Sequence, residues 1–394
     1  MGKLLFLGYA VPYDSIASYS GISLAGNKMQ LSILEELSLK GVDLRCVTVP
    51  PIAVFPKDKH VLCGFKRINL FKNIFSTQIG FVNLPILKQL SQIRSTFRTI
   101  KNIITKEKID KVLCFNTFPQ IGTPIKKLKK RFPNVKVTCL LADLPIDDNP
   151  NRNFVSKYLR YLFEKETINN LFYPDNYIIL NKYVVTFYKI NKPYLVVEGG
   201  INLDNLDYSQ FEKKVHNVVF SGALTDYNGV NFLLSSFASL ERNDIYLDIY
   251  GDGPLKSIVE DYASRFNNIR YFGRIDNIEM MRKQREAWAL INPRDPGNNI
   301  SKLTFPSKTF EYLVSGTPVI STKLNGYSNE MLDHLFLIDE DKSLGEVIDD
   351  LLSIGPEEMK QICISNYEFV RLNYSWSLQA TRILSFMEKY DAND

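Results

Sequence analysis

The sequence is poor in the residues that hold metals and disulfides. Its three histidines (His60, His216, His334) are far apart with no carboxylate at ligand spacing, and its five cysteines (Cys46, Cys63, Cys114, Cys139, Cys363) include no C-x-x-C pair. A zinc or redox site therefore lacks its ligands, and the thiols are expected to be reduced and mostly buried in a cytoplasmic protein. No metal and no cofactor is expected. No apolar run approaches the roughly 18 residues of a membrane-spanning helix. The opening MGKLLFLGYA has no small-residue cleavage site and reads as a first strand, and Phe6 stands where myristoylation needs Ser or Thr. Neither G-x-G-x-x-G nor G-x-x-x-x-G-K-[ST] occurs, which removes the defining support for dinucleotide oxidoreductases and P-loop NTPases.

What is present is ordinary globular composition, 45% apolar and 23% charged over 394 residues, enough for two or three domains. The net charge of +5 conceals two opposite halves. Residues 1–200 carry 29 Lys and Arg against 14 Asp and Glu, net +15, and the remainder carries 19 against 29, net −10. The basic excess concentrates in Ile93 to Lys111 and in Lys126 to Arg131 (KKLKKR). Such runs are either solvated helix faces or a surface for an anionic partner. No helix-turn-helix, zinc pattern or basic-aromatic interleaving points to nucleic acid. An anionic membrane surface suits the charge better, and Phe71 to Leu90, apolar and aromatic with isolated lysines, is either a segment lying in a headgroup layer or a packed helix and loop.

Short β-branched apolar runs alternate with helix-length segments. Six fall in the first half (Leu4 to Ala10, Leu44 to Val49, Lys111 to Phe115, Val135 to Ala142, Tyr177 to Leu180, Tyr194 to Glu198). Six fall in the second (Val218 to Gly222, Tyr246 to Gly251, Ile269 to Gly273, Ala287 to Pro293, Pro318 to Thr322, Leu335 to Ile338). This predicts an α/β chain of two Rossmann-like, doubly wound domains facing across a cleft, split near Gly199 and Gly200, where glycine permits a turn or hinge. Ligands in such sheets bind beyond the carboxyl ends of the strands.

The densest chemical signal is Thr304 to Thr322, TFPSKTFEYLVSGTPVIST. Ser307 is expected to cap a short helix from about Lys308 to Ser315, ended by Gly316 and Pro318. Its N-terminus beside Lys308 forms an anion site suited to a diphosphate. Glu311, one turn in, is placed to accept hydrogen bonds from ribose hydroxyls. Arg294 follows the strand AWALINP and is expected at the same cleft. Gly251 and Gly253 in YGDGP end another strand and allow a ligand or helix to approach closely, or form a plain turn. In the first half, Gly21 to Lys28 (GISLAGNK) reads as a glycine loop opening a helix at Met29, and Asp143 after VKVTCLLA is either an acid orienting an acceptor hydroxyl or a capping residue.

Taken together, the N-terminal glycine loop (Gly26, Asn27), the strand-turn SGAL to NG (Ser221 to Gly229), YGDGP, YFGR, INPR, FPSKTFEYLVSGTPVI and the closing YSW resemble, in order and spacing over nearly the whole chain, a GT-B glycosyltransferase of family 4. These are retaining enzymes of bacterial capsule, exopolysaccharide and lipopolysaccharide assembly. The resemblance implies an acceptor domain at 1–200, a nucleotide-sugar domain at 201–375 and a helix at 376–394 returning to the first domain. It implies donor contacts from Gly222, Gly251, Gly253, Ser307, Lys308, Glu311, Tyr327 and Ser328, catalytic roles for Lys308, Glu311, Arg294 and Asp143, and an acceptor that is a glycan or a polyprenyl-diphosphate-linked saccharide. Localisation follows as cytoplasmic and peripheral on the inner face of the plasma membrane. The sequence departs from the family pattern in three places: Ala223 and Asn228 stand where an Arg and a Lys commonly pair with the donor diphosphate, and Leu303 stands where the first of two glutamates would fall. Lys308 with Arg294 is the replacement phosphate ligand on this reading. The alternative class is a non-catalytic, glycosyltransferase-like partner that stabilises an active homologue.

Overall fold

The computed structural model describes residues 2–144, 154–202, 216–240 and 242–390. The chain divides into two compact units, residues 1–199 with 376–394, and residues 200–375.

The first unit contains β1 (Lys3–Gly8), α1 (Leu24–Leu39), β2 (Asp43–Thr48), β3 (Leu62–Cys63), β4 (Lys66–Phe71), β5 (Ile74–Gln78), β6 (Phe81–Val82) and α2 (Leu87–Glu107). It continues through β7 (Lys111–Phe115), α3 (Pro119–Arg131), β8 (Lys136–Leu141), α4 (Phe154–Asn170), β9 (Asn176–Ile179), α5 (Tyr183–Phe187) and β10 (Tyr194–Val196). Its main sheet runs β10-β9-β8-β7-β1-β2-β5-β4. The inner strands are buried on both faces, as in Leu4 to Gly8 and Val112 to Phe115, which is why they read as continuous apolar runs.

The sheet is mixed. β4 pairs antiparallel to β5, and the segment Phe71 to Leu90, read as either interfacial or a packed helix and loop, supplies the end of β4, β5, β6 and the start of α2. The hairpin turns at Lys72, whose φ of 44° is left-handed. β4 alternates exposed and buried residues, a pattern weaker than the buried runs around it.

The second unit contains β11 (Asn217–Ser221), α6 (Val230–Ala238), β12 (Tyr246–Tyr250), α7 (Lys256–Arg265), β13 (Ile269–Gly273), α8 (Asn277–Glu286), β14 (Ala289–Asn292), α9 (Asn299–Leu303) and α10 (Lys308–Leu313). It closes with β15 (Val319–Thr322), α11 (Asn329–Leu332), β16 (Phe336–Ile338), α12 (Leu344–Ser353) and α13 (Pro356–Asn373). Its sheet, β13-β12-β11-β14-β15-β16, is parallel throughout. The strand order reverses beside β11, the place where such sheets open a crevice. The ends of this unit are tied together, Ile201 N–H donating to Tyr374 O at 2.8 Å.

The last helix, α14 (Trp376–Lys389), packs in the first unit. Trp376, Ala380, Ile383 and Met387 recur at helical spacing and join the core formed by Leu34, Leu37 and the β1–β2 strands. Each large apolar side chain buried this way contributes about 1.5–3 kcal/mol. Arg382 Nη2 pins the helix to Val196 O at 3.0 Å. Four of the five cysteines are buried and all are free.

Candidate functional site

In the second unit the loop after β11 is built by backbone contact. Gly229, at φ 74°, precedes α6, and a Cβ there would lie 1.6 Å from Pro293 O. Gly251, at φ 144°, lies so close to the Gly222 carbonyl that a Cβ would stand 1.8 Å from it, and a Cβ on Gly253 would stand 2.6 Å from Leu224 O. These glycines therefore weld the ends of β11, β12 and β14 into one rim. Among them Gly222 alone lines the pocket, while Gly251 and Gly253 support it from behind.

That pocket, about 210 Å³, is walled by Ser221, Gly222, Ala223, Asn228, Arg294, Ser307, Lys308 and Tyr312. Lys308 Nζ donates to Ser221 O at 2.5 Å, and Tyr312 Oη lies 3.0 Å from Ser221 Oγ and 3.2 Å from Ser221 O. Asn228 Nδ2 closes the loop onto Ala223 O at 2.8 Å. Arg294 Nη1 donates to Thr304 Oγ1 at 3.2 Å, and its guanidinium lies over the Tyr227 ring. Among the described residues Arg294 forms no ion pair. Lys308 reaches solvent, yet protein crowds around it. That desolvation lowers its ammonium pKa; Glu311 opposes the shift and Arg294 adds to it. Desolvation likewise lowers the pKa of Arg294. Two desolvated cations crowded into a small polar hollow are organised for an anion.

Several sequence expectations change here. Ser307 occupies the N-cap position with helical backbone angles, and its hydroxyl makes no capping bond; α10 ends at Leu313 rather than Ser315. The pocket's positive character therefore rests on Lys308 and Arg294 rather than on a capped helix start. Tyr312, which sequence reasoning missed, lines the pocket where Glu311 was expected; Glu311 stands close enough to Lys308 to raise its pKa. Tyr327 is buried, its hydroxyl within 2.8–3.1 Å of Asn292, Thr309 and Ser321, so it buttresses the site from inside. Ser328 caps α11, accepting from Met331 N–H. Leu303, at the first glutamate position of the resembled family, is 3% exposed and belongs to the core.

In the first unit the helix begins earlier than expected. Ser23 caps α1, accepting from Gly26 N–H at 3.2 Å, so Gly26 and Asn27 lie in its first turn rather than in a loop. Asn27 is 2% exposed and spends both side-chain groups on Val11, Oδ1 accepting from its N–H and Nδ2 donating to its carbonyl. Gln30 Oε1 accepts from Tyr9 N–H at 2.7 Å. The two amides fasten the chain leaving β1 to the helix beside it.

This arrangement shapes a second pocket, about 270 Å³, whose walls include Tyr9, Gly26, Gln92, Phe118, Gln120 and Asp143. Asp143 stands at the end of β8, its Oδ2 accepting from Asn116 Nδ2 at 3.2 Å. Asn116, at φ 63°, also accepts from the N–H groups of Ala142 and Asp143 at 2.8 and 3.0 Å, locking the ends of β7 and β8 together. Asp143 is open to solvent within a concave wall, and desolvation raises its carboxyl pKa against the opposing bond from Asn116. Tyr9, Asn116 and Phe118 carry no sequence signal of their own; they are drawn together by the sheet.

Comparisons with known proteins bear on these pockets. Residues 215–353 match the family model described as Glycosyl transferases group 1. A search of curated protein sequences returns no match. Among solved structures the chain is similar to sucrose-phosphate synthase from Thermosynechococcus elongatus (15% identity, TM-score 0.68, all of both chains covered). It is also similar to an E. coli trehalose-6-phosphate structure bound with UDP-2-fluoro glucose (11%, 0.67, 98% of this chain and 99% of the other). A third is WaaG, a glycosyltransferase involved in lipopolysaccharide biosynthesis (16%, 0.56, 96% and 99%). At these identities the structures speak for the fold, and the family match for the second unit, which contains the whole Lys308 pocket. The protein is a glycosyltransferase of GT-B fold.

Proposed function

We propose that the Lys308 pocket binds the diphosphate of a nucleotide sugar and that the enzyme transfers the sugar, with retention at the anomeric carbon, to a glycan or lipid-linked saccharide in cell-surface polysaccharide synthesis. The observation that carries this reading is the convergence of Lys308 and Arg294, the latter without an acidic partner, on a pocket at the strand ends of the group 1 region. In the reaction the bond from the anomeric carbon to the β-phosphate oxygen breaks, the acceptor oxygen bonds to that carbon, and the acceptor's proton passes to the departing phosphate. Charge builds on that phosphate, where Lys308 and Arg294 stabilise it, each contributing about 2–4 kcal/mol by analogy with oxyanion donors. Asp143, held by Asn116, is the candidate for orienting an acceptor hydroxyl in the first unit. The UDP sugar in the E. coli structure supports the donor class.

The test is a thermal-shift screen against UDP, GDP, dTDP and CMP, with and without EDTA, on the wild type and Lys308→Met. A shift with one nucleotide that survives EDTA and vanishes in the variant is expected. Absence of any shift overturns the donor assignment and favours the non-catalytic partner.

The acceptor side extends to a polyprenyl-diphosphate-linked saccharide at an anionic membrane. No helix among the described residues is long and apolar enough to cross a membrane. Support for surface association comes from α2, α3 and α4, which pack side by side and carry 13 Lys and Arg against three Glu. On α4, Tyr158, Leu159, Tyr161 and Leu162 are all exposed. An apolar strip on a cationic layer is the pattern of an interfacial helix. Flotation with phosphatidylglycerol vesicles should show binding that falls with salt and is lost in a Tyr158→Ser, Leu162→Ser double variant. Binding unchanged by both refutes the association.

A further inference from the structure

Away from the Lys308 pocket, the face of the second sheet over β11, β12 and β13 opens into a groove of about 450 Å³ beside α8. A sheet face that served stability alone would be apolar or fully solvated. This one is neither. Asp248 is 4% exposed and accepts from Asn217 Nδ2 at 2.7 Å and from Arg270 Nε at 2.6 Å. Arg270 lies over the Tyr246 ring, and its Nη groups, pointing donors without an acceptor among the described residues, are left available.

Tyr250 is the sharper observation. Its side chain is 5% exposed, it stacks on Phe272 at 4.9 Å with 13° between the rings, and it lines the groove. Its hydroxyl makes no hydrogen bond to any described residue. Standing on the groove wall, that hydroxyl is free to donate to or accept from an occupant. Asp248, Arg270, Glu279 and Glu286 all act on the Tyr250 hydroxyl electrostatically, which sets them around it.

The chemistry of the occupant follows from the lining. Asp248 is neutralised by Arg270, Glu286 by Lys283 at 3.3 Å, and Glu279 lies 3.9 Å from Arg282. With each charge answered locally, the groove has no net field to select an ion. It offers spare donors and acceptors around an aromatic plate, Phe272, that is 48% exposed. A pyranose presents hydroxyls around its rim and C–H groups on its face, and such a groove fits both.

We propose that this groove is a second saccharide-binding site, separate from the Lys308 pocket, that takes a neutral oligosaccharide. It lies beyond the donor reading and does not depend on it. The experiment is to apply the full chain to an array of neutral and anionic oligosaccharides, then to titrate the strongest neutral binder calorimetrically into the wild type, Tyr250→Phe, Phe272→Ser and Lys308→Met. Circular dichroism melts establish that each variant is folded. A neutral glycan should bind, about tenfold weaker in Tyr250→Phe and undetectably in Phe272→Ser, with Lys308→Met indistinguishable from wild type. Capture of no neutral glycan, or of anionic ones alone, overturns the proposal. So does binding that persists in both groove variants, or that disappears in Lys308→Met. Should Phe272→Ser fail to fold, Tyr250→Phe decides, because it removes a single oxygen.

Discussion

The two units share an architecture, a central parallel array with helices on its faces, but they finish the carboxyl ends of their strands by opposite means. In the first unit the rim is tied by neutral amides. Asn27, Gln30 and Asn116 each bond backbone groups of a neighbouring segment, and the pocket they frame is lined by aromatics and amides with one acid, Asp143, and one cation, Lys88. In the second unit the rim is tied by glycines that let backbones touch, and the pocket holds two cations. The same scaffold thus carries one pocket framed by amides and one that gathers Lys308 and Arg294. The difference lies in a few loop residues rather than in the sheets.

The contrast can be broken most severely at Lys308. Lys308→Met is expected to lower single-turnover sugar transfer by about 10²–10³-fold, read by radiolabelled product, while leaving acceptor binding in the first unit unchanged. Loss of both would mean the sites are not separable. Next in size is Gly251→Ala. A Cβ placed 1.8 Å from the Gly222 carbonyl must push the rim apart, which should cost about 3 kcal/mol of stability in a urea titration and abolish nucleotide binding.

Asn116→Ala is expected to cost about 2 kcal/mol, since it removes three hydrogen bonds. It should raise the KM for acceptor with little effect on that for donor. Asn116→Gly suits the left-handed backbone but also lacks the amide, so an equal KM change in both variants would assign the effect to the side chain.

Smallest is the response to pH. Burial holds the Lys308 ammonium below the ordinary lysine range, and an anion binds its protonated form. Nucleotide affinity should therefore fall as pH rises through the free enzyme's Lys308 pKa, beginning at lower pH than for an unperturbed lysine and levelling off above the bound-state value. Lys308→Met should flatten that profile.

The inner strands of both sheets were legible because both their faces are buried, leaving apolar runs bounded by turn residues. Lys308 and Arg294 were legible because each follows a strand end or opens a helix. The β4–β5 hairpin was not, since its strands alternate and its turn uses Lys72 in a left-handed conformation without the usual Asn-Gly signal. The first-unit pocket was hidden for a different reason. Tyr9, the loop of Asn116 and Phe118, and Asp143 follow three different strands, and Asn116 adopts an angle that its residue type only sometimes takes. Tyr312 was missed because a single residue of helical phase decides whether it or Glu311 faces the strand.

The return of α14 to the first unit has a consequence for the order of events during synthesis. The second unit is a continuous stretch whose two ends are bonded to each other through Ile201 and Tyr374, so it has all its parts as soon as that stretch has left the ribosome. The first unit begins earlier and ends later. Until Trp376, Ala380, Ile383 and Met387 emerge, the part of α1 that α14 covers stays open. The segment made first is thus the one completed last, and through the whole translation of residues 200–375 it waits with part of its core exposed to chaperones and to its own neighbours.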